Sequence, residues 1–188
     1  MRYRPLKYFY EKAPQYHIIT AGSLLGIAMH KGDSFPVGKV DFLQLEPMNF
    51  KEFLIATGHE KLAELIAGGA WDSLTYVKDK LVQLLRTYYY VGGMPEAVKT
   101  YCDGQGFDEV RRVQQNILMT YENDFSKHAP ATEVPRIRMV WHSITSQLAK
   151  ENRKFIYGVL RPGARAREFE LAVEWLLDAG LVYKVNRT

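Results

Sequence analysis

The sequence predicts a mainly α-helical protein with a small α/β region near its N-terminus. Apolar positions recur with helical spacing from Asn49 onward. Alternating or β-branched apolar runs occur chiefly before that point, in Tyr16–Thr20 and Val40–Glu46. At 188 residues the chain can bury a core and form one or two domains. Its 47% hydrophobic and 24% charged residues are typical of a globular protein.

The two N-terminal strand predictions rest on apolar runs with clear ends. In PQYHIITA, the Tyr16–Thr20 run stops at small residues, and Ser23 stands where the N-cap of a helix LLGIAMH would be. In VDFLQLEP, the alternating run stops at Pro47. Both segments are therefore expected to be short strands.

The turn between these segments shares glycines and a lysine with phosphate-binding loops. Such a loop reads G-x-x-x-x-G-K-[ST], and its last hydroxyl binds Mg²⁺. Here five residues separate Gly32 from Gly38, and Val40 follows Lys39 where the hydroxyl should be. The turn is therefore predicted to be a polar connection into a strand and not a nucleotide site.

Capping residues define the first helix after this region. Asn49 precedes FKEFLIA, Glu52 completes a capping box, and Gly58 is a stop signal. Further helices are predicted over Glu60–Ala67, Leu74–Val91, Pro95–Cys102, Phe107–Asp124 and Glu133–Lys150.

A glycine-rich corner separates two of these helices. In TYYYVGGMPEAV, Gly92 and Gly93 permit close backbone approach, and Pro95 suits a first helical position. On spacing alone the corner has a structural role.

The last part of the chain has the order helix, extended segment, helix, strand. RIRMVWHSITSQLAK places apolar residues on one helical face. KFIYGVL reads as extended, RPGARAREFELAVEWLLDAG as a helix with Gly180 at C′, and LVYKV as a strand. This is the order of a winged helix-turn-helix, of which a full β-wing is not expected before Thr188. The apolar face comprises Ile137, Val140, Trp141, Ile144 and Leu148.

Charge is concentrated in the same part. Residues 1–131 hold 15 basic and 15 acidic side chains, whereas residues 132–188 hold 10 and 6, which accounts for the net charge of +4. One interpretation is contact with nucleic acid phosphates and bases at the start of the last helix. The other is that these arginines pair with Glu168 or Glu170 and have a structural role. The basic residues concerned are Lys154, Arg161, Arg165 and Arg167.

Several classes of site are not expected. The single cysteine, Cys102, cannot form an internal disulfide or a cysteine-based zinc site. The five histidines lack metal-ligand spacing, so no metal site is predicted. The sequence has no signal peptide and no apolar run long enough to cross a membrane, which predicts a cytoplasmic protein without a membrane partner.

Four stretches in order resemble the bacterial and archaeal AAA-type ATP-binding proteins. They are YHIITAGSLLG, FPVGKVDFLQLEPMNFKEFL, YYYVGGMPEAV and KFIYGVLRPGARAREFELAVEWLLDAGLVYKV. In that family a P-loop ATPase core precedes a helical lid, a winged helix and a domain akin to restriction-type nucleases. The resemblance implies a remnant of the α/β ATPase core at 1–58, a helical lid domain at 59–131 and a partial winged helix at 132–188.

The resemblance also implies site residues. Ser23 would be the sensor-1-like residue facing the γ-phosphate, with Thr20 a weaker candidate. Lys39 replaces an arginine and would act on phosphate as a point charge. The Gly92–Pro95 motif would lie near the adenine base.

ATP and Mg²⁺ are cofactors of the full-length family. Its P-loop and its acidic Mg²⁺-binding strand lie upstream of the strand that Tyr16–Thr20 resembles, so this chain looks like a middle fragment without either. We expect it to bind no cofactor and to be catalytically inactive alone. The alternative is a non-enzymatic DNA- or protein-binding winged-helix module. Open strand edges at Tyr16–Thr20 also predict pairing between chains into a homo-oligomer.

Overall fold

The structure, a computed structural model, describes residues 4–22, 38–41, 43–69, 71–151 and 154–185. Within these ranges all regular secondary structure is helical, which confirms the mainly α prediction. A one-turn 3₁₀ helix covers Tyr157–Val159. The α-helices are α1 Arg4–Lys12, α2 Phe50–Ala56, α3 Glu60–Ala67, α4 Trp71–Tyr76, α5 Lys78–Val91, α6 Pro95–Cys102, α7 Phe107–His128, α8 Val134–Leu148 and α9 Ala166–Asp178.

The chain divides into two compact units. Unit one comprises Met1–Phe42 and Tyr121–Thr188, and unit two comprises Leu43–Thr120. One boundary therefore falls inside α7. This division follows from which residues lie close together in space. The domains 1–58, 59–131 and 132–188 stay a prediction from the sequence.

The core of unit two is built on both sides of α2. Phe53 and Leu54 are both fully buried, and each belongs to a different apolar cluster. Adjacent residues of a helix point about 100° apart, so α2 packs against two sets of helices at once. The buried partners of Phe53 are Val91, Ala97, Val98, Val110 and Val113, and those of Leu54 are Ala63 and Leu84.

The predicted caps of unit two are present. The Glu52 N–H donates to Asn49 Oδ1 at 3.0 Å, and the Asn49 N–H donates to Glu52 Oε2 at 2.8 Å. Gly58 follows α2 with a φ of 77°, a conformation that favours glycine. The predicted helix Leu74–Val91 is instead two helices, because the chain tightens at Val77, whose N–H donates to Leu74 O.

The core of unit one joins the end of α7 to α8 and α9. Phe125 is fully buried and lies edge-on to Trp141 and Trp175, with ring centroids 5.6 and 5.5 Å away. Ile137 and Val140 are buried as predicted, whereas Leu148 at the end of α8 is exposed. The other buried members are Phe169, Ala172, Leu176 and Ala179.

The three strand predictions are wrong for the residues that the structure describes. Tyr16–Thr20, Val40–Glu46 without Phe42, and Leu181–Val185 have no strand structure. A strand is stabilised by ladder hydrogen bonds to a neighbouring strand, and an apolar run does not supply that neighbour. Phe42, Ser23 and the predicted helix LLGIAMH lie outside the described residues.

The segment between α8 and α9 also differs from the prediction. KFIYGVL was expected to be extended, but it contains the 3₁₀ turn Tyr157–Val159. The buried side chain of Gln147 positions this segment, because its Oε1 accepts the Ile156 N–H at 2.6 Å. A buried polar side chain of α8 thus holds the backbone of this segment.

Candidate functional site

The Gly92–Pro95 corner between α5 and α6 depends on a backbone conformation special to glycine. Gly92 has φ 76° and ψ −173°, a region of backbone space that is essentially closed to residues with a Cβ. Pro95 is the first residue of α6, where its missing N–H leaves no hydrogen bond unmade. The fold therefore accounts for both residues without a ligand.

The second glycine of the corner lies against the backbone of Met48. The Met48 N–H donates to Gly93 O at 2.7 Å, and the Tyr88 hydroxyl donates to Met48 O at 2.8 Å. A Cβ at Gly93 would lie 2.2 Å from Met48 O, far inside contact distance. We call the contacts among Met48, Tyr88 and Gly93 the Met48 clamp. The clamp satisfies both polar backbone groups of Met48.

Burial raises the pKa of the Tyr88 phenol above its usual value of 10.0, and the nearby charge of Glu52 adds to the shift. The Tyr88 ring lies between Phe50 and Phe53, with centroid distances of 5.6 and 5.3 Å. The protonated phenol is the form that can donate to Met48 O. The clamp thus lies in an aromatic cluster whose burial favours the protonated, donating form of the Tyr88 phenol.

A side chain of α7 caps the end of α5. Gln114 Nε2 donates to the carbonyls of Tyr90 and Val91 at 2.8 and 2.9 Å, and these are among the carbonyls left without helical partners. Arg111 Nη1 in turn donates to Gln114 Oε1 at 3.2 Å. This contact has no local signal in the sequence, because Gln114 lies 24 positions from Tyr90 and 23 positions from Val91.

These contacts bear on the fit of ATP to the corner. The close approach that Gly93 permits is taken by the Met48 backbone, which fills the space beside its Cα. The side of Gly93 on which a Cβ would project is therefore occupied by the protein's own backbone. The nucleotide-binding roles of Gly92, Gly93 and Pro95 stay a prediction.

Lys39, the predicted phosphate contact, is held by an acidic side chain in unit one. Its Nζ forms an ion pair with Glu11 Oε1 and lies 5.8 Å from the centroid of the Tyr10 ring. The hydrogen bond from Lys39 lowers the pKa of the Glu11 carboxyl. Lys39 and the corner belong to different units, and Ser23 lies outside the described residues.

The four predicted DNA contacts differ in their surroundings. Arg161 pairs with Glu168, and its guanidinium lies 5.8 Å from the Phe169 ring centroid. The hydrogen bond from Arg161 is the main cause that lowers the pKa of Glu168. The other three, Lys154, Arg165 and Arg167, are exposed at or before the first turn of α9.

The solvent face of α9 becomes acidic after its first turn. Glu170, Glu174 and Asp178 are exposed there, together with Leu171, which is 63% exposed. Carboxylates repel phosphate, so the middle and end of α9 are poorly suited to lie in a DNA groove. Only the start of α9 carries the charge that nucleic acid would select.

The two units differ in charge. Unit one holds 17 Lys and Arg against 11 Asp and Glu, whereas unit two holds 8 against 10. The basic excess of the chain thus resides entirely in unit one. An anionic partner would be attracted to unit one and not to unit two.

Comparison with known proteins gives two family matches. The family described as Domain of unknown function (DUF8612) matches residues 82–188, and the AAA domain matches residues 3–54. No curated protein and no solved structure matches the chain. Within the described ranges, none of the helices combines the length and apolarity needed to cross a membrane.

The AAA match supports an AAA-type, ATPase-like affiliation, and it covers both the Glu11–Lys39 pair and Met48. The other match covers the corner, α6 to α9 and most of α5. Since it spans more than half of the 188 residues, the chain belongs to the family described as Domain of unknown function (DUF8612) and carries an N-terminal segment similar to the AAA domain.

Proposed function

We propose that this chain is part of an AAA-type ATP-binding protein, to which it contributes a helical lid, and that it does not hydrolyse ATP by itself. The proposal rests on the ion pair between Lys39 and Glu11. Lys39 lies in the segment similar to the AAA domain, yet its charge is neutralised by Glu11. The 188 residues also contain no G-x-x-x-x-G-K-[ST] pattern.

The chemistry of phosphoryl transfer explains why this matters. Catalysis of that reaction depends on positioning the phosphates and neutralising their charge. A lysine already paired with a carboxylate contributes little net positive charge to a phosphate. At the corner, the Met48 backbone occupies the space beside the Gly93 Cα. In this proposal the chain supplies a lid, and Lys39, held by Glu11, does not neutralise charge on phosphate.

The test measures phosphate release and calorimetric binding with ATP and Mg²⁺. We expect no turnover above background and no measurable heat from the purified chain. Glu11→Gln removes the carboxylate that holds Lys39, and Lys39→Ala removes the lysine. If Lys39 is a latent phosphate contact, Glu11→Gln gains ATP affinity and Glu11→Gln with Lys39→Ala does not. Turnover by the unaltered chain that Lys39→Ala or Ser23→Ala abolishes contradicts the proposal.

The corner glycines are unsuitable controls for this test. A side chain at Gly93 would displace Met48, so a loss of binding in Gly93→Asp would report on folding and not on nucleotide contact. Changes at Glu11 and Lys39 avoid this difficulty, because both side chains lie at the surface of unit one.

A second candidate is nucleic-acid binding through the start of α9 in unit one. The charge difference between the units favours it, together with the exposure of Lys154, Arg165 and Arg167. Arg161 contributes less, because Glu168 already neutralises it. In this proposal phosphates are contacted by the first turn of α9, and the acidic remainder of the helix points away from the duplex.

The test is duplex DNA binding at low and moderate salt. Replacing Lys154, Arg165 and Arg167 with Ala is expected to weaken binding strongly at low salt and to reduce the salt slope by about one for each lost contact. The matched control replaces Lys61, Lys78 and Lys80 of unit two with Ala and should leave binding unchanged. If the chain does not bind DNA even at low salt, this candidate is excluded. Protein binding is then the remaining proposal for residues 132–188.

A further inference from the structure

The outward side of α1 consists of tyrosines, lysines and one carboxylate. Leu6 and Phe9 are partly buried, and Ala13, just after the helix, is buried, so the apolar positions of α1 face the protein. Adjacent helical residues point about 100° apart, so the positions between them face solvent. The exposed positions are Lys7, Tyr8, Tyr10, Glu11 and Lys12. We call these five residues together with Tyr16 the tyrosine–lysine face.

The half-buried ring of Phe9 holds two of the exposed tyrosines. Tyr8 and Tyr16 both lie edge-on to Phe9, with ring centroids 5.8 and 6.4 Å away. The Tyr16 N–H donates to Ala13 O at 3.1 Å, which fixes the bend that follows α1. Tyr8 is nevertheless 58% exposed and Tyr16 is 61% exposed. Both rings are therefore positioned by the protein while much of their surface remains open to solvent.

The tyrosine–lysine face is cationic despite its carboxylate. Glu11 is the only acidic residue between Arg4 and Gly22, and the ion pair with Lys39 neutralises it. The hydrogen bond from Lys39 is the main cause that lowers the pKa of Glu11, and the charges of Lys7 and Lys12 add to the shift. Both lysines thus lie near Glu11 and supply the net positive charge of this face.

Exposed aromatic rings interleaved with cations suit a single strand of nucleic acid. The bases of a single strand stack on aromatic side chains, while its phosphates are attracted to nearby lysines. A helix that binds a lipid surface instead turns its apolar side outward, to insert it among the lipids. The apolar side of α1 faces the protein, so the chemistry of the outward side favours nucleic acid over lipid.

We propose that the tyrosine–lysine face binds single-stranded nucleic acid, with bases stacked on Tyr8 and Tyr16 and phosphates against Lys7 and Lys12. Tyr10 contributes less, because Lys39 Nζ already lies 5.8 Å from its ring centroid. This binding requires neither ATP nor duplex DNA at the start of α9. It therefore goes beyond the proposed function, and either of those activities can fail without affecting it.

The first test is fluorescence anisotropy of a labelled oligothymidylate of about 20 nucleotides at low salt. We expect saturable binding by the unaltered chain. Tyr8→Ala with Tyr16→Ala removes both stacking rings and should weaken binding by about tenfold or more. Tyr76→Ala with Tyr89→Ala changes two tyrosines of unit two that are at least as exposed, and it should have no effect.

An abasic strand with the same number of phosphates separates stacking from charge. It should bind the unaltered chain about tenfold more weakly than the oligothymidylate does, because it offers no bases to stack. The variant Tyr8→Ala with Tyr16→Ala should bind the two strands about equally.

The salt dependence tests the lysines. Lys7→Ala with Lys12→Ala should reduce the slope of log affinity against log salt by about 0.7 for each lysine that contacts a phosphate. The matched control, Lys78→Ala with Lys80→Ala on α5 of unit two, should leave the slope unchanged.

Four results would overturn the proposal. They are no binding of oligothymidylate even at low salt, equal binding of the abasic strand, unchanged binding after loss of both tyrosines, and tighter binding to anionic phospholipid vesicles that the same tyrosine variant loses. Tyr8→Phe with Tyr16→Phe keeps both rings and should bind normally, so a loss there would contradict stacking. Because Tyr8 and Tyr16 are exposed, these variants are expected to fold, which circular dichroism checks.

Discussion

Apolar side chains before Pro47 and after Pro47 differ in how far they are buried. Before it, Leu43 and Leu45 are almost fully exposed; after it, Phe53 and Leu54 are fully buried. All four lie in the segment similar to the AAA domain. Burial therefore follows from the presence of a partner surface and not from apolarity alone. Helix α2 is flanked by α3, α5 and α6, whereas the side chains of Leu43 and Leu45 are not covered by a described helix.

The largest expected effect is on the buried side of this comparison. Leu54→Ala removes a side chain that packs against Ala63 and Leu84, and the cavity should cost about 2–5 kcal/mol of unfolding free energy. Urea denaturation followed by circular dichroism measures the change. Ile55→Ala, half-exposed on the same helix, is the control and should cost far less. Equal costs would mean that α2 does not pack as described.

Gly93→Ala is expected to have the next largest effect. Its Cβ would lie 2.2 Å from Met48 O, so the backbone must shift, at a cost of about 1–3 kcal/mol. Hydrogen exchange of the Met48 amide should accelerate, because its acceptor is the Gly93 carbonyl. Gly68→Ala is the control: its φ is −78° and the nearest atom lies at 3.4 Å. Unchanged exchange at Met48 in Gly93→Ala would disprove the clamp.

Tyr88→Phe tests the other half of the clamp. Loss of the hydroxyl leaves Met48 O without its donor and should cost about 1 kcal/mol of unfolding free energy. Tyr89→Phe, on a ring that is 75% exposed, should cost almost nothing. Urea denaturation of the two variants gives the comparison, and equal values would contradict the assigned role of Tyr88.

Because the pKa of Tyr88 is raised, Tyr88→Phe should also change how the stability of the chain depends on pH. The folded chain holds the phenolic proton more tightly than the unfolded chain does, so above about pH 10 the unfolded state releases it first. The stability linked to Tyr88 is therefore fully present below pH 10 and is lost as pH rises through the folded pKa. Tyr88→Phe should show a shallower loss of stability above pH 10 in the same denaturation experiment.

The smallest expected effect is on the exposed side of Pro47. Leu45→Ala should change the unfolding free energy of the dilute chain by no more than about 0.5 kcal/mol, because the side chain contacts little in the single chain. Thermal melts at low concentration measure it against Leu54→Ala. A cost near that of Leu54→Ala would show that Leu45 packs within the chain after all.

Local signals in the sequence predicted much of the helical structure. Asn49 and Glu52 act within one turn of chain, and so do the helix stops at Gly58 and Gly180. Each depends on hydrogen bonds or backbone angles of a few neighbouring residues. Such features can be recognised in a sequence because the interacting groups are close together along the chain.

Features that depend on a distant partner could not be predicted. The strand predicted for Val40–Glu46 is absent from the described residues of that segment; a ladder needs a second strand, and a residue pattern does not show whether one is present. The ion pair between Lys39 and Glu11, 28 positions away, has no local signal in the sequence either. The requirement for glycine at position 93 also has no local signal in the sequence, because Met48 approaches from another segment.

The Met48 clamp also imposes an order on synthesis. Tyr88 lies 40 positions after Met48, so Met48 leaves the ribosome with neither its donor nor its acceptor. At about 5–20 residues per second, the wait for Tyr88 lasts about 2–8 s. During that time the apolar side chains between Leu43 and Leu54 are unanchored and open to contact with chaperones or neighbouring nascent chains. Slow translation beyond Pro47 would lengthen this vulnerable period, and the arrival of Gly93 would end it.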